Sequence, residues 1–126
     1  MHQASNRVDI PEQKAKALTK SALACARSLG LSPHETAATL GVPQTALQAF
    51  RAATRSVDGT SSEAACADAL VRIGNQLKDL LGDTETSWRS WIRRHNDEIG
   101  GKPIEVMIQR CGCLKIAEFL EGKASL

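Results

Sequence analysis

Four cysteines and three histidines have the widest chemical range of any residues in this 126-residue chain, and their spacing decides how much of that range is usable. Cys111 and Cys113 have one residue between them, whereas a zinc-binding pair keeps about two to four so that both sulfurs reach one tetrahedral ion. No second Cys or His pair follows, and no bound metal is expected. Cys25 and Cys66 recur with apolar residues at helical spacing, where a thiol packs as a small hydrophobe. His2, His34 and His95 are isolated, and a solitary histidine is more often a surface or capping residue than a base. There is no glycine-rich phosphate loop and no nucleophile elbow. This pattern predicts a protein that is not an enzyme, with no cofactor and no small-molecule substrate.

Recognition of base edges is a chemistry the chain does offer. Glu35 to Phe50 reads as two short helices in which Ala37, Gly41 and Leu47 stand at the spacing of a helix-turn-helix. A small residue at 37 lets the helices cross closely, Gly41 permits the left-handed backbone of a tight turn, and Val42 with Leu47 packs the second helix on the first. The outward residues of that second helix are then Gln44, Thr45, Gln48 and Arg51. In a major groove, Gln pairs with adenine through two hydrogen bonds and Thr meets a polar edge or a thymine methyl. Arg51 and Arg55 are expected on phosphate. This outward face is short of Lys and Arg for a DNA reader, and two helices around a glycine also occur in bundles that never touch DNA. A homodimer on paired half-sites would multiply the contacts one module makes.

The elements that must position these residues are all helical. Leu18, Ala22, Cys25 and Leu29 share one helical face, and Gly30 ends that helix. Ser32-Pro33 caps and starts the second, Pro33 to Leu40, and the third opens at Val42-Pro43 with Leu47 and Phe50 inward. Thr60-Ser61-Ser62-Glu63 fits a capping box before a long helix, whose stripe Cys66, Leu70, Ile73, Leu77 and Leu80 is a narrow seam suited to one partner helix. After Gly82, Asp83 is expected to cap a helix bearing Trp88, Trp91 and Ile92, which breaks at His95-Asn96. Tryptophans so placed are most often core. Pro103 starts the next helix, lined by Ile104, Met107 and Ile108; Gly112 interrupts, and Leu114, Ala117 and Leu120 mark a last one. The predicted fold is all-α.

Composition narrows the setting without naming a function. Hydrophobic residues make up 42% and charged residues 24%, as in an ordinary globular protein. Residues 1–60 carry seven Lys or Arg against four acids and residues 61–126 nine against ten, a mild asymmetry that alone argues DNA binding only weakly. No apolar stretch reaches the roughly 18 residues of a membrane span, and the polar opening lacks a signal peptide's apolar segment. A cytoplasmic protein with no membrane contact is expected.

The C-terminal half carries a resemblance. Leu81-Gly82-Asp83, Trp91-Ile92, Asn96, Ile99, Gly101, Pro103-Ile104-Glu105 and Gly112 follow one another in an order and spacing that resemble the toxin-binding domain of the Xre/MbcA/ParS antitoxin family. The match covers roughly residues 77–121, and the upstream helix-turn-helix and connecting helix extend it over most of the chain. His95 stands where the family tends to have proline, Ile92 replaces a leucine, and Met107-Ile108 replaces a leucine pair.

Residues 1–12, closed by Pro11, read as a flexible arm, and beyond it the resemblance implies a DNA-binding region over 13–60, a connecting and dimerisation helix over 61–82 and a toxin-binding domain over 83–126. It implies a RES-type toxin as partner, an enzyme that consumes NAD, neutralised when the antitoxin covers its active-site entrance. It also implies repression of the protein's own operon through operator DNA. The loop from Asn96 through Gly101 and Lys102 to Pro103, and the tail with Glu121, Lys123 and Leu126, are the segments expected at the toxin. A carboxylate on Leu126 would suit basic residues meant for NAD phosphates. A free-standing helix-turn-helix regulator with a helical dimerisation domain would share the first half and need no toxin.

Overall fold

The computed structural model describes residues 11–110 and 112–126. The first ten residues of the expected arm, with His2, and Cys111 of the Cys-Gly-Cys segment lie outside the described residues. Among the described residues seven helices follow in order: α1 (Glu12–Ser28), α2 (Pro33–Leu40), α3 (Gln44–Arg51), α4 (Ser62–Leu81), α5 (Glu85–Arg93), α6 (Pro103–Met107) and α7 (Gly112–Glu121). Among the described residues there is no strand, only one bridge between Asn96 and Gly101. The all-α expectation holds. No described helix is long and apolar enough to cross a membrane.

Local chemistry sets the helix ends. Ser32 Oγ accepts from Glu35 N and the Glu35 carboxylate accepts from Ser32 N, each at 3.0 Å, so α2 starts with a reciprocal capping box and a proline at its first position. It ends at Gly41, whose φ of 71° an L-residue with a Cβ adopts at a cost. The start of α4 differs from the sequence expectation. Ser61, not Thr60, caps it, accepting from Glu63 N at 3.1 Å, and the Glu63 carboxylate turns outward to Asp58 N and Arg55. Thr60 instead bonds Asp58 within the turn. Asp83 does not cap α5 either; Thr84 holds the N-cap position without a side-chain bond.

The core is built around α4, on which α1, α2, α5 and α7 all pack. Leu70, Ile73 and Leu77 are completely covered, Cys66 and Leu80 are half-buried, and Ala64, Ala67 and Ala69 are buried beside them. The apolar surface of α4 is therefore broader than the narrow seam read from the sequence, and the chain's own helices occupy it. The buried face of α1 is wider than expected: Ala22 and Leu29 are covered as read from the sequence, Ala15, Thr19 and Ala26 are buried as well, and Leu18 and Cys25 are half-buried. Small side chains on α1 let the two axes approach. At Gly74 of α4 an added Cβ would lie 2.6 Å from Cys25 Sγ, and that thiol donates to Leu70 O at 3.2 Å. Burial pushes the Cys25 thiol up to about 11 and the Cys113 thiol of α7 up to about 12. Thr19 Oγ1 donates to Ala15 O at 2.6 Å and accepts from Val57 N at 2.9 Å, tying the turn after α3 back to α1.

Two arginines of α5 fasten the C-terminal helices to the start of the chain. Arg89 donates to Ser28 O at 3.0 Å and Arg27 O at 3.3 Å, capping the carbonyls at the end of α1. Arg93 grips both oxygens of Glu35, at 2.7 and 3.0 Å, and also donates to Gly30 O. The hydrogen-bonded Arg93 guanidinium holds the Glu35 carboxyl down to about 2. Because the folded value lies below the ordinary one, this contribution is complete above about pH 4.5 and fades as pH falls toward 2. Arg93 is 42% exposed, so solvent screening reduces the contribution to about 1 kcal/mol. Glu35→Gln keeps a capping residue but loses the ion pair. Urea unfolding of the variant should show that deficit at neutral pH and converge with the wild type near pH 2; a gap unchanged across that window would show that the pair contributes nothing.

Candidate nucleic-acid and partner interfaces

The α2–α3 unit is assembled by the residues that its spacing singled out. Ala37, Val42 and Leu47 are all buried, and Val42 N donates to Ala37 O at 3.0 Å across the turn. With Leu47 and Phe50 facing in, Gln44, Thr45, Gln48 and Arg51 remain exposed on the opposite side of α3. Arg55 does not join them as a free cation. Its guanidinium makes a two-point contact with Glu63, at 2.8 and 3.1 Å, and lies 5.1 Å over the Phe50 ring.

The fold brings other cations to this side. An open cleft of about 750 Å³ between α1 and the end of α3 is lined by Lys16, Lys20, Arg27, Arg51 and Arg55 over Leu23 and Phe50. The α1 cations were missed by reasoning that stopped at α3, although Lys16, Lys20 and Arg27 stand on one helical face by spacing alone.

The C-terminal segments assigned to a partner also meet. Asn96 N donates to Gly101 O at 2.9 Å, Gly100 N donates back to Asn96 O at 2.8 Å, and Asn96 Oδ1 accepts from Glu98 N and Ile99 N. The loop is thus internally fastened, and Lys102 N bonds Glu105 at the start of α6. Lys123 ion-pairs with Glu98, which joins the tail to the loop, and its ammonium lies 4.9 Å over the Phe119 ring. Trp91 stacks on Phe119 with ring centroids 6.4 Å apart. Leu126 is 44% exposed. Asn96, Gly101, Lys102 and Lys123 therefore belong to one neighbourhood, built on half-buried Trp91, Ile99 and Phe119.

Two residues assigned to the partner already have contacts within the chain, although Glu121 remains exposed. Pro103 is buried, because the start of α6 is a packing position, so its ring is not available to a partner. Glu121 is bound by Arg72 of α4 through two bonds of 2.6 and 2.8 Å, and that guanidinium lowers its carboxyl below the ordinary range. Trp88 and Trp91 are half-buried, not core; Trp88 Nε1 donates to Gly82 O at 2.8 Å and so ties α5 to the end of α4. Ile108 and Leu114, expected inward, are 37% and 42% exposed, because Met107 and Cys113, each a neighbouring position, take the buried places. Among the described residues, no three metal-capable side chains converge. No protein-family model matches the chain, and none of the curated proteins matches it.

Proposed function

We propose that this protein is a cytoplasmic antitoxin that binds a protein toxin through its C-terminal face and operator DNA through α3. The observation that carries the reading is the Lys123 to Glu98 pair, which sets the tail beside the Asn96–Gly101 loop over a platform of Trp91 and Phe119. Half-buried aromatics ringed by charged residues are the composition of protein-binding surfaces. The sequence pattern adds the class of partner, a RES-type toxin that consumes NAD, neutralised by occlusion of its active site and without chemistry from this chain. Gln44, Thr45 and Gln48 would read base edges, Arg51 would hold phosphate, and a homodimer would present two such helices to paired half-sites.

A second reading has one observation in its favour. Glu121 and Lys123 are already held by Arg72 and Glu98, which suits a free-standing regulator whose C-terminal helices only complete the fold. Co-expression with the reading frame beside its gene separates the two. If the neighbour alone stops growth and drains cellular NAD, and this chain restores both and co-purifies with it, the antitoxin reading stands. A harmless neighbour that forms no complex leaves the regulator.

A further inference from the structure

The charge missing from the outward face of α3 is present next to it. Lys16, Lys20, Ala24 and Arg27 recur at helical spacing on α1, on a face distinct from the buried Ala15, Thr19, Ala22 and Ala26. That face fronts the 750 Å³ cleft, and a smaller one of about 300 Å³ shares Leu23, Arg27 and Arg51 with it, so the two form a continuous trough. Among the described residues no acidic side chain lines either cleft. Glu12 stands 3.9 Å from Lys16 in a highly exposed pair, which solvent weakens, and Glu63 neutralises Arg55. Among the described residues, Lys20, Arg27 and Arg51 have no acidic partner and Lys16 has only that weak one, so these four are the charges of the trough.

We propose that this α1–α3 trough is a phosphate track for double-stranded DNA and supplies most of the protein's sequence-independent affinity. The proposal rests on the DNA-binding reading of α3. Arg51 belongs to both surfaces: it follows Gln44 and Gln48 on the outward face of α3 and also lines the trough. A duplex engaged by α3 would therefore continue over Arg51 toward α1. At a rise of about 1.5 Å per residue, Lys16 and Arg27 are roughly 16 Å apart along the α1 axis. Duplex DNA carries one charge per ~1.7 Å of its own axis, so several phosphates fall within that span. An acidic peptide is the competing occupant, and it would use the apolar floor of Leu23 and Phe50. It would give no reason for the trough to run into a row of glutamine and threonine side chains suited to base edges.

The test is fluorescence anisotropy of the full chain with a labelled random-sequence duplex, titrated over a range of KCl concentrations, with poly-L-glutamate as a second probe. Removing three phosphate contacts by Lys16→Ala, Lys20→Ala and Arg27→Ala together should flatten the slope of log affinity against log salt by about 2 to 3. Lys115→Ala on α7, outside the trough, should leave that slope unchanged. All four positions are exposed, and circular dichroism checks that each variant remains helical. If the triple variant keeps the wild-type slope while the duplex still binds, the trough is overturned and the reading of α3 survives. If the wild type binds no duplex, both fall. If poly-L-glutamate binds, the triple variant abolishes that binding and the duplex is ignored, the trough is a protein-docking surface.

Discussion

Gly112→Ala is expected to lower the stability of the chain by about 3 kcal/mol or more, an unusually large effect for adding one methyl group. The added Cβ would lie 1.6 Å from the carbonyl oxygen of Val106, 2.6 Å from its carbonyl carbon and 3.3 Å from Met107 Cα. All three atoms are backbone of α6, so no side-chain rotation relieves the contact; α7 would have to move away from α6. That movement would uncover Met107, Cys113 and Ile116, which are buried where α6 and α7 join the core. Gly122→Ala is the matched control, because its Cβ would meet nothing nearer than 3.7 Å. Thermal unfolding followed by circular dichroism should show a fall of more than about 10 °C for the first and almost none for the second. Equal midpoints would show that α6 and α7 adjust without cost.

Ile73→Ala should cost about 3 to 5 kcal/mol, through lost apolar contact and the cavity left behind. Ile73 is fully buried on α4, the helix that both the N-terminal α1 and the C-terminal α7 pack against. The loss should therefore reach both ends of the chain together. Trp88 and Trp91 both lie on α5, so their fluorescence follows the C-terminal helices, whereas far-ultraviolet circular dichroism follows every helix. In urea, the two signals should shift to a lower midpoint and remain coincident. Fluorescence that moved while circular dichroism did not would show two units melting separately, and α4 would then not be a shared core.

The helices were legible in the sequence because their ends are written in local chemistry. Ser32-Pro33 with Glu35, Gly41 and Lys102-Pro103 each act through groups only a few residues away, and each boundary falls within a residue or so of expectation. The outward face of α3 was legible for the same reason, since an eight-residue helix with Leu47 and Phe50 buried leaves little choice for the rest. Facing was harder where both sides of a helix carry apolar residues. On α1 the leucines drew attention, but alanines and Thr19 are what allow close approach to α4. After α6 and on α7, Ile108 and Leu114 are apolar like their buried neighbours Met107 and Cys113, so composition alone did not show which would be covered. The long-range ion pairs could not be read at all. Arg93 finds Glu35 58 residues away and Arg72 finds Glu121 across 49, separations over which no local pattern constrains the partner. The α1 cations share a helical face by spacing, but the cleft that they line with α3 becomes evident only in three dimensions.

The buried thiols bear on how the protein ages chemically. Alkylation, disulfide exchange and oxidation proceed through the thiolate, and burial, which pushes the Cys113 thiol up to about 12, keeps it protonated at neutral pH. Cys113 also keeps its sulfur against the carbonyls of Thr39 and Met107, each at 3.7 Å, in a position closed to bulky reagents. Damage at that sulfur must therefore wait for α7 to lift from the core, which ties its chemical lifetime to the packing around Gly112.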